Sequence, residues 1–309
     1  MVKEMNRGAS QRGDLSGREQ RRAGMSVSHR IEQGAFSSAV RSGLSSVNHG
    51  QDVVRKEEIL GVEFSWLDET GVIRHILQEL SLGRGGWVVT PNTDILRRAV
   101  RDEAIRRLVA SASLVIIDGA PVEWAARVAG RAGATRVPGA TLFWSLSAAA
   151  AQHGHGVLLL GGRDDATARR AATVLQEAST GLAISTHSPP LGFENDANEW
   201  ARIFDAVETS SARIIFCGLG FPKQEKLIAE LARTFPDRWF LGVGISIEYA
   251  SGRVPRAPDW MQAAGLEWTF RMATEPRRLG KRYLVDDVPF AAVLMMWAIR
   301  ERRSTRRVA

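Results

Sequence analysis

From Glu57 onward, short apolar runs alternate with longer amphipathic segments, and this alternation constrains the fold more than any other feature of the chain. Leu114-Val115-Ile116-Ile117 and Arg213-Ile214-Ile215-Phe216 are continuous rather than every-second-residue patterns. A strand reads that way when helices cover both of its faces, as in a parallel sheet. The runs predict strands at 61–66, 86–90, 113–117, 156–160, 182–187, 212–217 and 238–242. The segments between them predict helices at 68–82, 92–110, 120–132, 140–153, 164–178, 195–210 and 221–234. Strands and helices that alternate through short loops imply an α/β, doubly wound, Rossmann-like fold with a mostly parallel sheet.

The chain divides into three parts: a basic segment over 1–55, an α/β domain over 56–250, and a helical, Arg-rich appendage over 251–309. The first part is rich in Arg, Ser, Gly and Gln and sustains neither period, so it is expected to be disordered. No apolar stretch follows its charges, which argues against a secretory signal. Its Arg and Ser content suits a transit peptide, but Glu4, Asp14, Glu19 and Glu32 argue against one. The formal charge of +7 is uneven: residues 1–55 and 291–309 each carry +4, and the stretch between carries −1. A neutral body with cationic ends points to an anionic surface met at the edges rather than to nucleic acid. Cys217 is the lone cysteine, so a disulfide scaffold is excluded. Nine Trp against two Tyr suggest surfaces that meet sugars or a membrane interface.

Ligands of open α/β sheets bind beyond the carboxyl ends of the strands. Small and polar residues cluster there: Thr90-Pro91-Asn92-Thr93-Asp94, Asp118-Gly119, Gly161-Gly162-Arg163-Asp164, Gly218-Leu219-Gly220 and Gly242-Val243-Gly244. Close glycines bring backbone N–H groups up to a phosphate, so Gly218 and Gly220 are candidate binding positions. They equally make tight turns. No dinucleotide fingerprint is complete, because Lys223 and Ile247 stand where the third glycine belongs. Asp118 ends an apolar strand; a desolvated carboxylate there suits a general base, although the pattern alone favours a cap for the next helix. Metal ligation finds no support in the spacing of His153 and His155, and Asp164-Asp165 reads as a helix cap. Cys217 reads as a buried structural thiol. No cofactor is expected.

These residues carry a resemblance. Thr90-x-Asn92, Asp118-Gly119, Arg136-Val-Pro-Gly139, Gly218-x-Gly220-x-Pro222-x-Gln224-Glu225 and Gly242-Val-Gly244 occur in order. Arg256-Ala-Pro258-x-Trp260 leads on to Gly265-Leu-Glu267-Trp268-x-x-Arg271, Glu275-Pro276-x-Arg278 and Arg282-Tyr283. From about residue 60 to about 285 the chain resembles the WecG/TagA/CpsF glycosyltransferases of bacterial cell-envelope polysaccharide assembly. The resemblance implies an inverting, metal-independent transfer from a UDP-sugar to a sugar on a polyprenyl diphosphate, at the cytoplasmic face of the inner membrane. N-acetylmannosamine-type or glucose-type sugars are the ones such enzymes move. Asp118 would be the base, Thr90, Asn92 and Arg136 would line the pocket, and Gln224 would contact the donor. Self-association is also implied. Thr141 and Ile247-Glu248 depart from the family pattern, which bears on which sugar is moved.

A displacement without a metal needs cations for the leaving diphosphate, and Arg256, Arg271, Arg278 and Arg282 are the candidates, with Arg253, Arg277 and Lys281 nearby. The apolar run Val288 to Ile299 is followed by an Arg cluster. It suits a helix lying in the headgroup region of a membrane, with a helix packed on the domain as the competing reading. A nucleotide-dependent oxidoreductase on the same architecture is the alternative function, disfavoured by the incomplete glycine pattern.

Overall fold

The computed structural model describes residues 54–308. Of residues 1–55, expected to be disordered, 1–53 lie outside the described residues, whereas Val54 packs against the core and Arg55 pairs with Glu57. The chain enters through a hairpin of β1 (Lys56–Ile59) and β2 (Val62–Ser65), paired antiparallel around Leu60 and Gly61, both at positive φ. The sequence reading found the second strand and missed the first. Lys56-Glu57-Glu58 reads as loop because β1 is an edge strand that buries only Ile59 fully.

The main sheet holds β3 (Gly86–Val89), β4 (Leu114–Val115), β5 (Gly156–Gly161), β6 (Ile184–His187), β7 (Ala212–Gly218) and β8 (Trp239–Gly242). Its order is β4-β3-β8-β7-β5-β6, and every pairing is parallel. Successive residues of β7 go to opposite faces: Ile215 and Cys217 join Leu158, Leu160 and Phe240 in one core. Ile214 and Phe216 join Val157, Leu159, Trp239 and Leu241 in the other. Two apolar faces per strand explain the continuous runs. Each buried Ile, Leu or Val contributes about 1.5–3 kcal/mol.

The flanking helices are α1 (Glu69–Ser81), α2 (Thr93–Arg101), α3 (Glu103–Ala110), α4 (Ala120–Val128), α5 (Gly139–Gln152), α6 (Asp165–Ala178), α7 (Ala197–Thr209) and α8 (Lys223–Thr234). The helix expected over 92–110 is two. Asp102 adopts an extended conformation at the junction and accepts from the backbone N–H groups of Ala104 (2.8 Å) and Ile105 (3.3 Å), capping α3. Asp164 caps α6 by accepting from the Thr167 N–H at 2.8 Å. Cys217 is buried.

Beyond β8 the chain is helical: α9 (Ser246–Ala250), α10 (Asp259–Ala263), α11 (Glu267–Thr274), α12 (Pro276–Lys281), a π-helical segment (Arg282–Asp287) and α13 (Val288–Val308). The apolar run is the first part of a 21-residue helix. Phe290, Leu294 and Ala298 on its inner stripe belong to the same core as β7 and α4. Val293, Met296 and Ile299 face outward and are exposed. Among the described residues, no helix is long and apolar enough to cross a membrane.

Candidate active site

The carboxyl ends of the strands and the C-terminal helices enclose a cavity of ≈ 820 Å³. Thr90 follows β3, Asp118 follows β4, Gly162 follows β5, Gly218 ends β7 and Gly242 ends β8, and all of them line it. Gly119 lets two of these loops meet. A side chain there would stand 3.0 Å from the Thr93 nitrogen and 3.1 Å from the Asn92 Cα, so the backbone after Asp118 packs directly on the start of α2. Asn92 is the N-cap of α2, accepting from the Ile95 N–H at 3.1 Å.

Asp118 does not cap α4. The N-cap is Gly119, with no side-chain cap bond, so the Asp118 carboxyl is left to the cavity. It titrates at about 7, pushed up first by desolvation and then by the Glu267 carboxylate; Arg136, Arg271 and Arg256 pull the other way. A group with that value takes a proton near neutral pH. Arg136 lines the cavity and is fixed by its Nη2, which donates to the Gln262 carbonyl at 2.6 Å.

Gln224 lies on the other side of the cavity. Its Oε1 accepts from the N–H groups of Gly220 (3.1 Å) and Leu219 (3.3 Å), and its Nε2 donates to Glu225 Oε1 at 2.7 Å. Its amide is therefore fixed in one orientation, with the carbonyl on the glycine loop. Glu225 is buried, its second oxygen has no partner, and burial pushes its carboxyl up to about 7. Sequence reasoning quoted Glu225 and Glu267 within motifs and gave neither a role, because their effect comes from burial and proximity that spacing does not show.

Arg271, Arg278 and Arg282 line the cavity, as does Arg253, which pairs with Asp164 at 3.1 Å. Arg278 pairs with Glu275 at 2.5 Å. Arg282 faces Asp287 (3.4 Å) and Asp94 (3.7 Å). Arg256 does not line the cavity. It stands behind the wall, with Nη2 3.4 Å from Thr141 Oγ1, and acts on Asp118 only through its charge. Arg277 and Lys281 are exposed away from the cavity. Among the described residues, no group of three His, Cys, Asp or Glu side chains is placed to hold a metal ion.

Asp94 anchors a second charged cluster, between α2 and the π-helical segment. Arg97, almost wholly buried, donates to Asp94 at 2.5 Å and lies 3.5 Å from Asp287 and 3.7 Å from Asp286. Burial and the charge of Asp94 raise the Asp287 carboxyl. The loop that carries Thr90 and Asn92 is thus tied to the C-terminal helices that carry the arginines.

One family model, described as the glycosyl transferase WecG/TagA/CpsF family, matches residues 57–304. The chain belongs to that family. It is a WecG/TagA/CpsF glycosyltransferase, an enzyme class of cell-envelope polysaccharide synthesis. The match spans both the Rossmann-like body and the C-terminal helices through most of α13, so both halves of the cavity wall belong to the family's common part. The oxidoreductase alternative gives way to this membership.

Proposed function

We propose that this glycosyltransferase moves a sugar from a UDP-sugar to a sugar carried on a polyprenyl diphosphate, in one inverting displacement with Asp118 as the base. The observation that carries the reading is Asp118 itself: a carboxyl that caps nothing, faces the cavity and titrates at about 7. Its ionised form accepts the proton of the attacking acceptor hydroxyl as the new glycosidic bond forms and the bond to UDP breaks. Thr90 and Asn92 flank the acceptor side. The glycine loop of Gly218 and Gly220, whose backbone Gln224 holds in shape, gives the donor a wall with no side chains in its way. Arg271, Arg278 and Arg282 take up the charge that grows on the leaving diphosphate, the role a metal plays in other transferases.

The acceptor's lipid calls for a membrane surface. The outer stripe of α13, Val293, Met296 and Ile299, followed by Arg300, Arg302 and Arg303, suits the headgroup layer of an anionic bilayer. The protein then works as a peripheral enzyme on the cytoplasmic face of a bacterial inner membrane, and the same stripe offers a surface for self-association. The test is a donor screen. UDP-N-acetylmannosamine, UDP-glucose and related sugars are each incubated with short-chain polyprenyl-diphosphate-linked N-acetylglucosamine, and products are read by mass. One donor giving an acceptor heavier by one sugar supports the reading. Free UDP-sugars left intact with every acceptor would overturn it.

A further inference from the structure

The acceptor's own subsite is not accounted for by the groups above. A hydroxyl that reaches Asp118 must belong to a sugar ring held beside it, and Asp118 lies past β4, at one edge of the sheet. The glycine loop and Gln224 lie past β7, three strands away, or about 14 Å at the usual strand spacing. That separation gives the donor the middle of the sheet and the acceptor its β4 edge. At that edge stands Trp124, one turn into the helix that Asp118 leads into.

Trp124 differs from most of the chain's other indoles. Trp66 and Trp87 donate to the carbonyls of Ala132 (2.9 Å) and Ser111 (3.0 Å), Trp239 is in the core, and Trp268, which also lines the main cavity, is engaged edge-on with Tyr283. Trp124 is 43% exposed and lines the main cavity together with Asp118. It also lines a second cavity of ≈ 210 Å³, which shares Ala120, Trp124, Arg136 and Gly265 with the first. That smaller space adds Glu123 and Arg127, which pair at 2.7 Å. The ring also lies beside the turn at Gly265. Gly265 has a φ of +72°, and a side chain there would fall 2.5 Å from Ala120 Cβ and 3.4 Å from Trp124 Cζ2. The turn between α10 and α11 therefore presses bare backbone against α4 and leaves the indole its room.

A part-exposed aromatic face lining a cavity, with charged donors and acceptors around its edge, is the arrangement that suits a pyranose. The C–H bonds on one face of a sugar carry partial positive charge and meet the negative face of the ring, while the hydroxyls point outward to polar groups. We infer that Trp124 is the platform on which the acceptor sugar stacks, setting its hydroxyl toward Asp118, with Arg127 and Arg136 at the ring's polar edge. This rests on the proposed transfer reaction. It assigns Trp124 to acceptor binding and to no part of donor binding.

The test compares Trp124→Ala and Trp124→Phe with the wild-type full chain. Initial rates are measured against short-chain polyprenyl-diphosphate-linked N-acetylglucosamine and against the donor separately, and UDP binding is measured by calorimetry. The expected result for Trp124→Ala is an acceptor KM raised roughly tenfold, consistent with the loss of one stacking contact. Its donor KM and UDP affinity stay near wild type, and Trp124→Phe recovers most of the loss. An unchanged acceptor KM, a donor KM that rises in step, or a Phe variant as impaired as the Ala variant would overturn the inference. A wild-type chain that binds UDP yet transfers no sugar to this acceptor would instead defeat the transfer reading on which the inference stands, and the inference with it.

Discussion

The Arg136 guanidinium donates to the Gln262 carbonyl at 2.6 Å, so the loop that supplies a cation next to Asp118 is hydrogen-bonded to the C-terminal helical region. The same region supplies Glu267, Arg256 and Arg271, whose charges also act on the Asp118 carboxyl. The Asp118 carboxyl is therefore tuned by residues more than a hundred positions away in sequence, and its environment is complete only when the C-terminal helices are in place.

This tuning is visible in the pH–rate profile. With Asp118 titrating at about 7, kcat/KM should fall about tenfold per pH unit on the acid side of that value, because the protonated form accepts no proton. Glu267→Gln removes a like charge and should move the acid limb to lower pH. Arg271→Gln removes an opposite charge and should move it to higher pH. Initial rates from pH 5.5 to 9 with saturating donor check both directions (an assay range chosen at about one and a half to two units either side of the base).

The ties between α2 and the π-helical segment should hold the cavity wall together. Arg97→Ala leaves Asp94 with Arg98 at 3.2 Å and Arg282 at 3.7 Å but removes its buried partner. The expected cost is about 3 kcal/mol, the lower end of what breaking a buried pair costs. Urea unfolding measures it. The same variant should weaken UDP binding, since Arg282 would be drawn into a closer pair with Asp94 and would have less of its charge free for a diphosphate.

The two faces of α13 should separate stability from membrane binding. Leu294 is fully buried, and Leu294→Ala should destabilise the fold by about 2–5 kcal/mol. Met296 is half exposed, and Met296→Glu should leave the melting temperature unchanged while reducing co-sedimentation with phosphatidylglycerol vesicles. Equal vesicle binding by Met296→Glu and wild type would count against the outer stripe as the membrane contact.

Much of this molecule was legible in its residues. The unbroken runs at 114–117 and 213–216 declared a sheet covered on both faces, and the polar residues after each strand marked the cavity rim. What was not legible depends on long-range packing. β1 carries three charged residues and reads as loop until β2 pairs with it. Asp118 looked like a helix cap, and only the backbone around Gly119 frees it for chemistry. Arg256 looked like its neighbours in the motif, yet the turn of the chain puts it behind the wall, near Thr141. The apolar run at 288–299 read either as a helix in the headgroup region or as one packed on the domain. Helical geometry divides it into an inner stripe on the core and an outer one facing solvent.

The base assignment is tested most directly by Asp118→Asn, followed by turnover, UDP affinity and melting temperature on one preparation. The raised carboxyl favours its neutral form in the folded state. Its contribution to stability is therefore full below the ordinary value of 3.8 and is lost as pH rises through about 7. The variant, which carries no charge at any pH, should melt above wild type at pH 8 (about one unit past that titration) and level with it in acid. Sugar transfer should fall by a factor on the order of 10² to 10⁴, with UDP affinity unchanged. Turnover within a few-fold of wild type at pH 8 would contradict the account, because the one proton acceptor it names would then be dispensable.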